Sequence, residues 1–366
     1  MMNGRLALLH ILMLLTSVKI FFKFEYTMSR LFIYILILIL TCSCSSVKLE
    51  QFDNISITGY ENKSLAFASL ASKIDTVFFY VKKGANPIST IKDISLNDSL
   101  LYVVDENNFI SLFDIHSGEL LRQTKGVGHS SQEYLNINSI KCMNDTLFVL
   151  DDKSRKIVKY DNSFNYLGKI NLRFVPLDFE ITNDGFLFSR LDVTNNDNRF
   201  ILTDRNGVIK NDFVRASSFG EQIYTNKSFV NNKYLNKIYL HEPMSGEIYR
   251  WDSGMVMPAY KTTFSSHNEN GTKAQNLAIP KDYFITSTHL ICSFIYDHKQ
   301  YYCVYSEKDG TVKAGSFDMN SGLPFSPIFQ KGDSLVGLYH TEDLEMLKNW
   351  KPKHGHSTLT LFIYSF

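Results

Sequence analysis

An all-β chain built from repeated four-stranded units is expected from three observations. Aromatic residues make up 14% of the 366 residues, chiefly 28 Phe and 20 Tyr, and such side chains suit pleated surfaces buried on both faces. A strand motif recurs along the chain at a spacing of one supersecondary unit. Asp, Asn, Ser and Gly cluster where each short apolar run ends, which is the chemistry of tight turns.

The repeat is clearest at residues 97–105, NDSLLYVVD, and 144–151, NDTLFVLD. A second apolar run ending in an aromatic residue and an aspartate follows each, at 110–114 (ISLFD) and 157–161 (IVKYD). The same column continues, with decay, at 200–204, 248–252, 302–306 and 361–365. Counted from Asp114, the steps are 47, 43, 48, 54 and 59 residues, so the last two units carry insertions. Six units of about four short strands describe a six-bladed β-propeller. The turns fit this reading: residues 114–118 (DIHSG), 204–207 (DRNG) and 252–254 (DSG) let Asp bond local backbone and Gly take positive φ.

The C-terminal run at 359–364 has the character of a third strand, with no fourth strand after it. Residues 74–81, IDTVFFYV, supply the missing partner, so the last blade is expected to be closed by an N-terminal strand. Residues 341–350 break the pattern; Thr341 followed by acidic residues and by Leu344 and Leu347 reads as a short capped helix in the last blade.

The start of the chain reads as a targeting segment. Residues 31–40, LFIYILILIL, follow Arg30 and fit the apolar core of a signal peptide better than a span. Thr41-Cys42-Ser43-Cys44 comes next, a stretch that resembles a bacterial lipobox. Cys44 is the preferred lipidation site because Ser43 is the small residue before it; Cys42 is the alternative, with Ile39 three places earlier. Residues 1–27 hold a second apolar stretch, read as an extension ahead of a true start at Met28, with a transmembrane helix as the competing reading. The expected organisation is therefore 1–27 extension, 28–44 signal peptide, 45–73 tether and lead-in, and 74–366 propeller.

Net charge is +1, and no Lys/Arg cluster interleaved with aromatics is present, so a nucleic-acid partner is not expected. Cys292 and Cys303 lie at equal distances from Asp297-His298, a hairpin turn across which they could face; two buried small hydrophobes is the plainer reading. No CxxC and no G-x-S-x-G elbow occurs. His354 and His356 lack a third metal ligand, and Gly126-Val127-Gly128 lacks the Lys-Ser/Thr of a phosphate loop.

With the lipobox-like stretch, the paired NDSLLYVVD and NDTLFVLDD strands, Phe113-Asp114, residues 117–122 (SGELLR) and 126–134 (GVGHSSQEY), the chain resembles the six-bladed β-propeller lipoproteins of Bacteroides-type bacteria, an NHL-like architecture. The resemblance is strong over about 74–174 and thins afterwards. The proline usual before the Glu-Tyr pair of that family is missing here. The resemblance implies location and fold rather than chemistry.

Arg122, Glu133 and Tyr134 flank the link between the first two blades and are candidates for a ligand-facing group; the alternative is that Glu133-Tyr134 merely fixes that turn. Asp93, Asp178, Glu180 and Asp282 fall on expected innermost strands. Six-bladed lactonases hold calcium with such groups, so calcium is the one cofactor considered, against solvated strand-end carboxylates. Two functions follow. One is a monomeric, membrane-tethered binding module of the cell envelope, facing a glycan, peptide or envelope protein. The other is a metal-dependent hydrolase or lyase on the same ring; no catalytic set is recognisable.

Overall fold

The computed structural model describes residues 51–66, 70–194, 196–216, 227–242, 245–265, 278–317, 324–344 and 358–366. Within them the strands form six sheets. The chain opens with β1 (Asp53–Thr58), β2 (Ser64–Leu65) and β3 (Lys73–Phe79). Blade one follows as β4 (Ile91–Leu96), β5 (Leu100–Asp105), β6 (Ile110–Asp114) and β7 (Leu120–Thr124). Blade two is β8 (Ile137–Met143), β9 (Thr146–Asp151), β10 (Lys156–Asp161) and β11 (Tyr166–Asn171). Blade three is β12 (Pro176–Ile181), β13 (Phe186–Arg190), β14 (Asn198–Thr203) and β15 (Ile209–Arg215). Blade four is β16 (Phe229–Asn232), β17 (Lys237–His241), β18 (Glu247–Asp252) and β19 (Met255–Ser265). Blade five is β20 (Ile279–Ile285), β21 (His289–Tyr296), β22 (Lys299–Ser306) and β23 (Val312–Phe317). Blade six is β24 (Phe329–Lys331), β25 (Ser334–His340) and β26 (Leu359–Ser365), with β3 as its fourth strand.

The six-bladed reading therefore holds, and the repeated column proves to be the third strand of every blade. Its aspartates shape the turns that follow: Oδ1 of Asp114 accepts the His116 and Ser117 N–H groups, and Oδ1 of Asp161 accepts those of Ser163 and Asn165. Asp204 does the same for Asn206 and Val208. The central strands are buried on both faces because each blade stacks on the next. Tyr102 and Val104 of blade one pack with Ile137, Ile140 and Val149 of blade two, and Phe148 meets Phe179, Phe186 and Phe188 of blade three.

Closure is antiparallel: β3 pairs with β26 from Phe79 opposite Leu359 to Lys73 opposite Ser365. Phe79 is fully buried and meets the Phe113 ring of blade one edge-on at 5.2 Å, so the closing strand also joins blade six to blade one. Helix α1 (Thr341–Leu344) lies between β25 and β26; residues 345–350 of the expected helix lie outside the described residues. Within the range read as tether and lead-in, β1 pairs in parallel with β19 and β2 in parallel with β23. These strands add a fifth member to blades four and five, and Ile55 and Ile57 of β1 are buried between those blades.

Cys292 and Cys303 stand directly opposite on β21 and β22 as buried free thiols, joined through a turn whose Asp297 and His298 have φ of 47° and 59°. Positive φ at both turn residues is what a two-residue hairpin of this twist requires. Burial pushes the Cys292 thiol well above its ordinary value, and Cys303 adds to that. Among the described residues no helix is long and apolar enough to cross a membrane. Cys42 and Cys44 lie outside the described residues, as do His354 and His356.

The ring has two unlike ends. At one, successive strands of a blade meet in turns of two to five residues. At the other lie the second-to-third strand connections and the links between blades, of which 80–90, 125–136 and 172–175 are described throughout. We term these the turn end and the link end.

Candidate functional site: the link end of the channel

The innermost strands β4, β8, β12, β16, β20 and β24 neighbour one another around the axis. Four of them bulge near their starts, between Ile91 and Asp93, Ile137 and Ser139, Pro176 and Asp178, and Pro280 and Asp282. A bulge re-aims the next side chain, and here it sets Asp93, Ser139, Asp178 and Asp282 at one level of the ring. Oδ1 of Asp93 accepts the Ile94 N–H at 2.7 Å, and its Oδ2 accepts the Ile140 N–H of the next blade at 2.8 Å. Asp178 repeats the device, with the Phe179 N–H on Oδ1 and the Ser228 N–H, at the start of blade four, on Oδ2, both at 2.8 Å. Ser139 is too short to reach so far, and its buried hydroxyl has no hydrogen-bond partner in the structure. Asp282 receives the Ser293 hydroxyl from its own blade at 3.1 Å.

Lysines pair with acids at this level and, two residues further along the strands, at the next. The Lys227 ammonium, just ahead of β16 in blade four, reaches across the axis to Oδ1 of Asp93 in blade one, the opposite side of a six-membered ring. Lys141 of β8 pairs with Glu180 of β12 at 3.2 Å, with both side chains largely buried. Burial disfavours the Lys141 ammonium, but Glu180, Asp178 and Asp93 outweigh it and raise its pKa, so the group stays charged. His241, the last residue of β17, is buried with its ring 5.1 Å from that of Tyr283. Burial lowers its pKa, against the opposing pull of Asp282 and Asp178, which favours the neutral imidazole.

Asp93, Asp178 and Glu180 are thus buried, not solvated, and are engaged by backbone N–H groups and lysines. Calcium takes six to eight oxygens. Among the described residues no group of three or more His, Cys, Asp or Glu side chains is placed to hold a metal ion.

Arg122, Glu133 and Tyr134 do not gather at one point. Arg122 is exposed on the outermost strand β7, opposite Leu112; hydrogen bonds from Asn165 hold the Asp161 carboxyl below its ordinary value, and the Arg122 charge adds a little to that. Oε2 of Glu133 accepts the Ser130 N–H at 2.9 Å, and that bond holds its carboxyl below the usual range. Its carboxyl also lies where a Cβ on residue 128 would stand, which explains Gly128. Tyr134 is fully buried; its hydroxyl accepts the Gly126 N–H and donates to the Asn108 carbonyl, and burial pushes its pKa up to about 12. Both residues of the Glu-Tyr pair therefore brace the link between blades one and two.

Sequence reading missed Lys141, Lys227 and His241. For Lys141 a signal existed, because a lysine inside an inner strand needs a buried partner. Lys227 has none, since its partner lies 134 residues away.

Fold and closure define a six-bladed, N-terminally closed propeller. More narrowly, the model of a domain of unknown function, DUF4934, matches residues 53–360, from the first residue of β1 into β26, and the chain belongs to that family. Among solved structures, a protein of Bacteroides fragilis NCTC 9343 described as exported aligns with a TM-score of 0.66 at 15% identity, covering 86% of this chain and all of that one. A member of the DUF4221 family from Bacteroides vulgatus aligns with a TM-score of 0.51 at 9% identity, over 80% of this chain and 96% of that one. These likenesses concern the fold. No curated protein matches the chain.

Proposed function

We propose that this protein is an exported, lipid-tethered propeller of the cell envelope that works as a monomeric binding module, with its ligand at the link end of the channel. The observation that carries this reading is the buried charge lining the channel: Asp93 with Lys227 and His241 toward the link end, and Lys141 with Glu180 deeper along the inner strands. Fixed, desolvated charges in a channel suit recognition of a polar ligand such as a glycan or peptide, or of an envelope protein. Export is supported by the apolar run 31–40 with Cys42 and Cys44 behind it, and by the B. fragilis relative described as exported.

Probing a glycan array and a peptide library with residues 51–366 tests the binding reading. Ligands are expected for the native protein and lost on Lys227→Met or Lys141→Met. Ligands bound equally well by both variants would move the site elsewhere, and no ligand in either collection would remove the reading. Mass spectrometry of the mature N-terminus is expected to show acylated Cys44, and a chain retaining residues 1–27 would overturn the tether.

A further inference from the structure

Exposed apolar side chains are distributed unevenly between the two ends. Leu121, Leu167, Val208, Ile209 and Met255 all stand within one residue of the start of the outermost strands of blades one to four, beside the turns that lead into them. Tyr234, 73% exposed, sits on a turn of blade four at the same end. Among the described residues the link end offers Val127 and Leu191.

Two of the turn-end leucines are presented by one device. The register of β6 on β7 slips between Leu112 and Phe113, leaving Leu121 as the extra residue. The register of β10 on β11 slips between Lys159 and Tyr160, leaving Leu167. Each bulge lifts a leucine, 48% and 52% exposed, out of its sheet. Chain direction supplies an independent observation. β1 runs parallel to β19, which leads from the turn end to the link end, and β1 starts opposite Tyr260. Gln51 and Phe52 therefore lie on the turn-end side of β1. In the sequence six residues separate Gln51 from Cys44, the lipidation site of the tethered reading.

We propose that the turn end of blades one to four is a membrane-facing surface that lays Leu121, Leu167, Ile209 and Met255 on a zwitterionic bilayer and points the link end away from it. The orientation rests on the tethered reading above, but its test does not. Asp114, Asp161 and Asp204 occupy the same end, so attraction to anionic lipid is not what holds it. Shallow apolar insertion is insensitive to salt, unlike adsorption through charge.

Residues 51–366 contain the whole ring and its closing strand and need no acyl group for the experiment. Incubated with phosphatidylcholine–phosphatidylethanolamine vesicles, they are expected to co-sediment equally in low and high salt. The triple variant Leu121→Ser, Leu167→Ser, Ile209→Ser is expected to partition about 30- to 120-fold less, from about three- to five-fold per half-exposed aliphatic side chain. Its thermal melt is expected to match that of the native ring, and Val127→Ser with Leu191→Ser is the control that leaves partitioning unchanged. If the triple variant does not fold, Met255→Ser alone is expected to weaken binding about three- to five-fold. No sedimentation of the native ring, or equal loss from the control, overturns the proposal. A concentration-dependent dimer in light scattering, abolished by the triple variant, also overturns it and assigns the surface to a second copy of the chain. A mature chain without an acyl group would remove the tether and leave the vesicle result standing.

Discussion

Blades one to three and blades four to six share one strand plan but complete it differently. Each of the first three is made from one continuous stretch and ends in an outer strand, β7, β11 or β15, that takes no further strand among the described residues. Each of the last three borrows from the first 30 described residues: β1 on blade four, β2 on blade five, β3 in blade six. One half of the ring is therefore assembled from neighbours in sequence, and the other half is strapped together by a segment remote from it.

The largest effect is expected where the strap closes the ring. Phe79→Ala removes a fully buried ring shared by blades six and one and should cost about 3–5 kcal/mol. Urea unfolding should show a lower midpoint for the whole ring. A loss confined to one half would mean that the halves unfold separately.

Ile57→Ala tests the strap without touching closure. The side chain is wholly buried between blades four and five, and about 2–4 kcal/mol is expected. Hydrogen exchange should quicken in β1 and β19 and leave β5 and β9 protected; uniform quickening would erase the distinction between the halves.

In the self-contained half, Tyr134→Phe deletes a hydroxyl that both accepts and donates, and a loss of about 1–2 kcal/mol is expected. An unchanged midpoint would show that the link between blades one and two does not depend on it.

The smallest effect is expected from pH, and it falls on the strapped half. His241 has a depressed pKa when folded, so the unfolded chain binds the extra proton first. Stability is complete above the unfolded value of about 6.5 and declines as pH falls toward the folded value. The melting temperature should drop between pH 7 and 5, and His241→Gln should flatten that drop. His289, also depressed by burial but partly exposed, adds a weaker slope of the same sign.

The same division governs what could be read beforehand. Blades one and two announce themselves because their strands are joined by local turn chemistry; Asp114 and Asp161 act on residues two to four places ahead. The closing strand was legible as well, because β26 visibly lacked a partner and β3 had matching apolar character. β1 and β2 were not legible, since their partners lie in distant blades and β2 is two residues long. At the channel the acidic residues were found on the right strands, but their roles were hidden. Whether Asp93 faces solvent, a metal or the Ile140 N–H depends on a neighbouring blade that one strand cannot reveal.

The strap also imposes an order of events. The Val81 N–H bonds to the Thr358 hydroxyl, 277 residues further along, so the strands synthesised first must wait for those synthesised last. Contacts of such long range are slow to form and leave sheet edges open meanwhile. A chain threaded through a membrane N-terminus first could not complete its ring before β26 had crossed. The architecture that makes the finished ring hard to open also keeps it unfinished until β26 has been made.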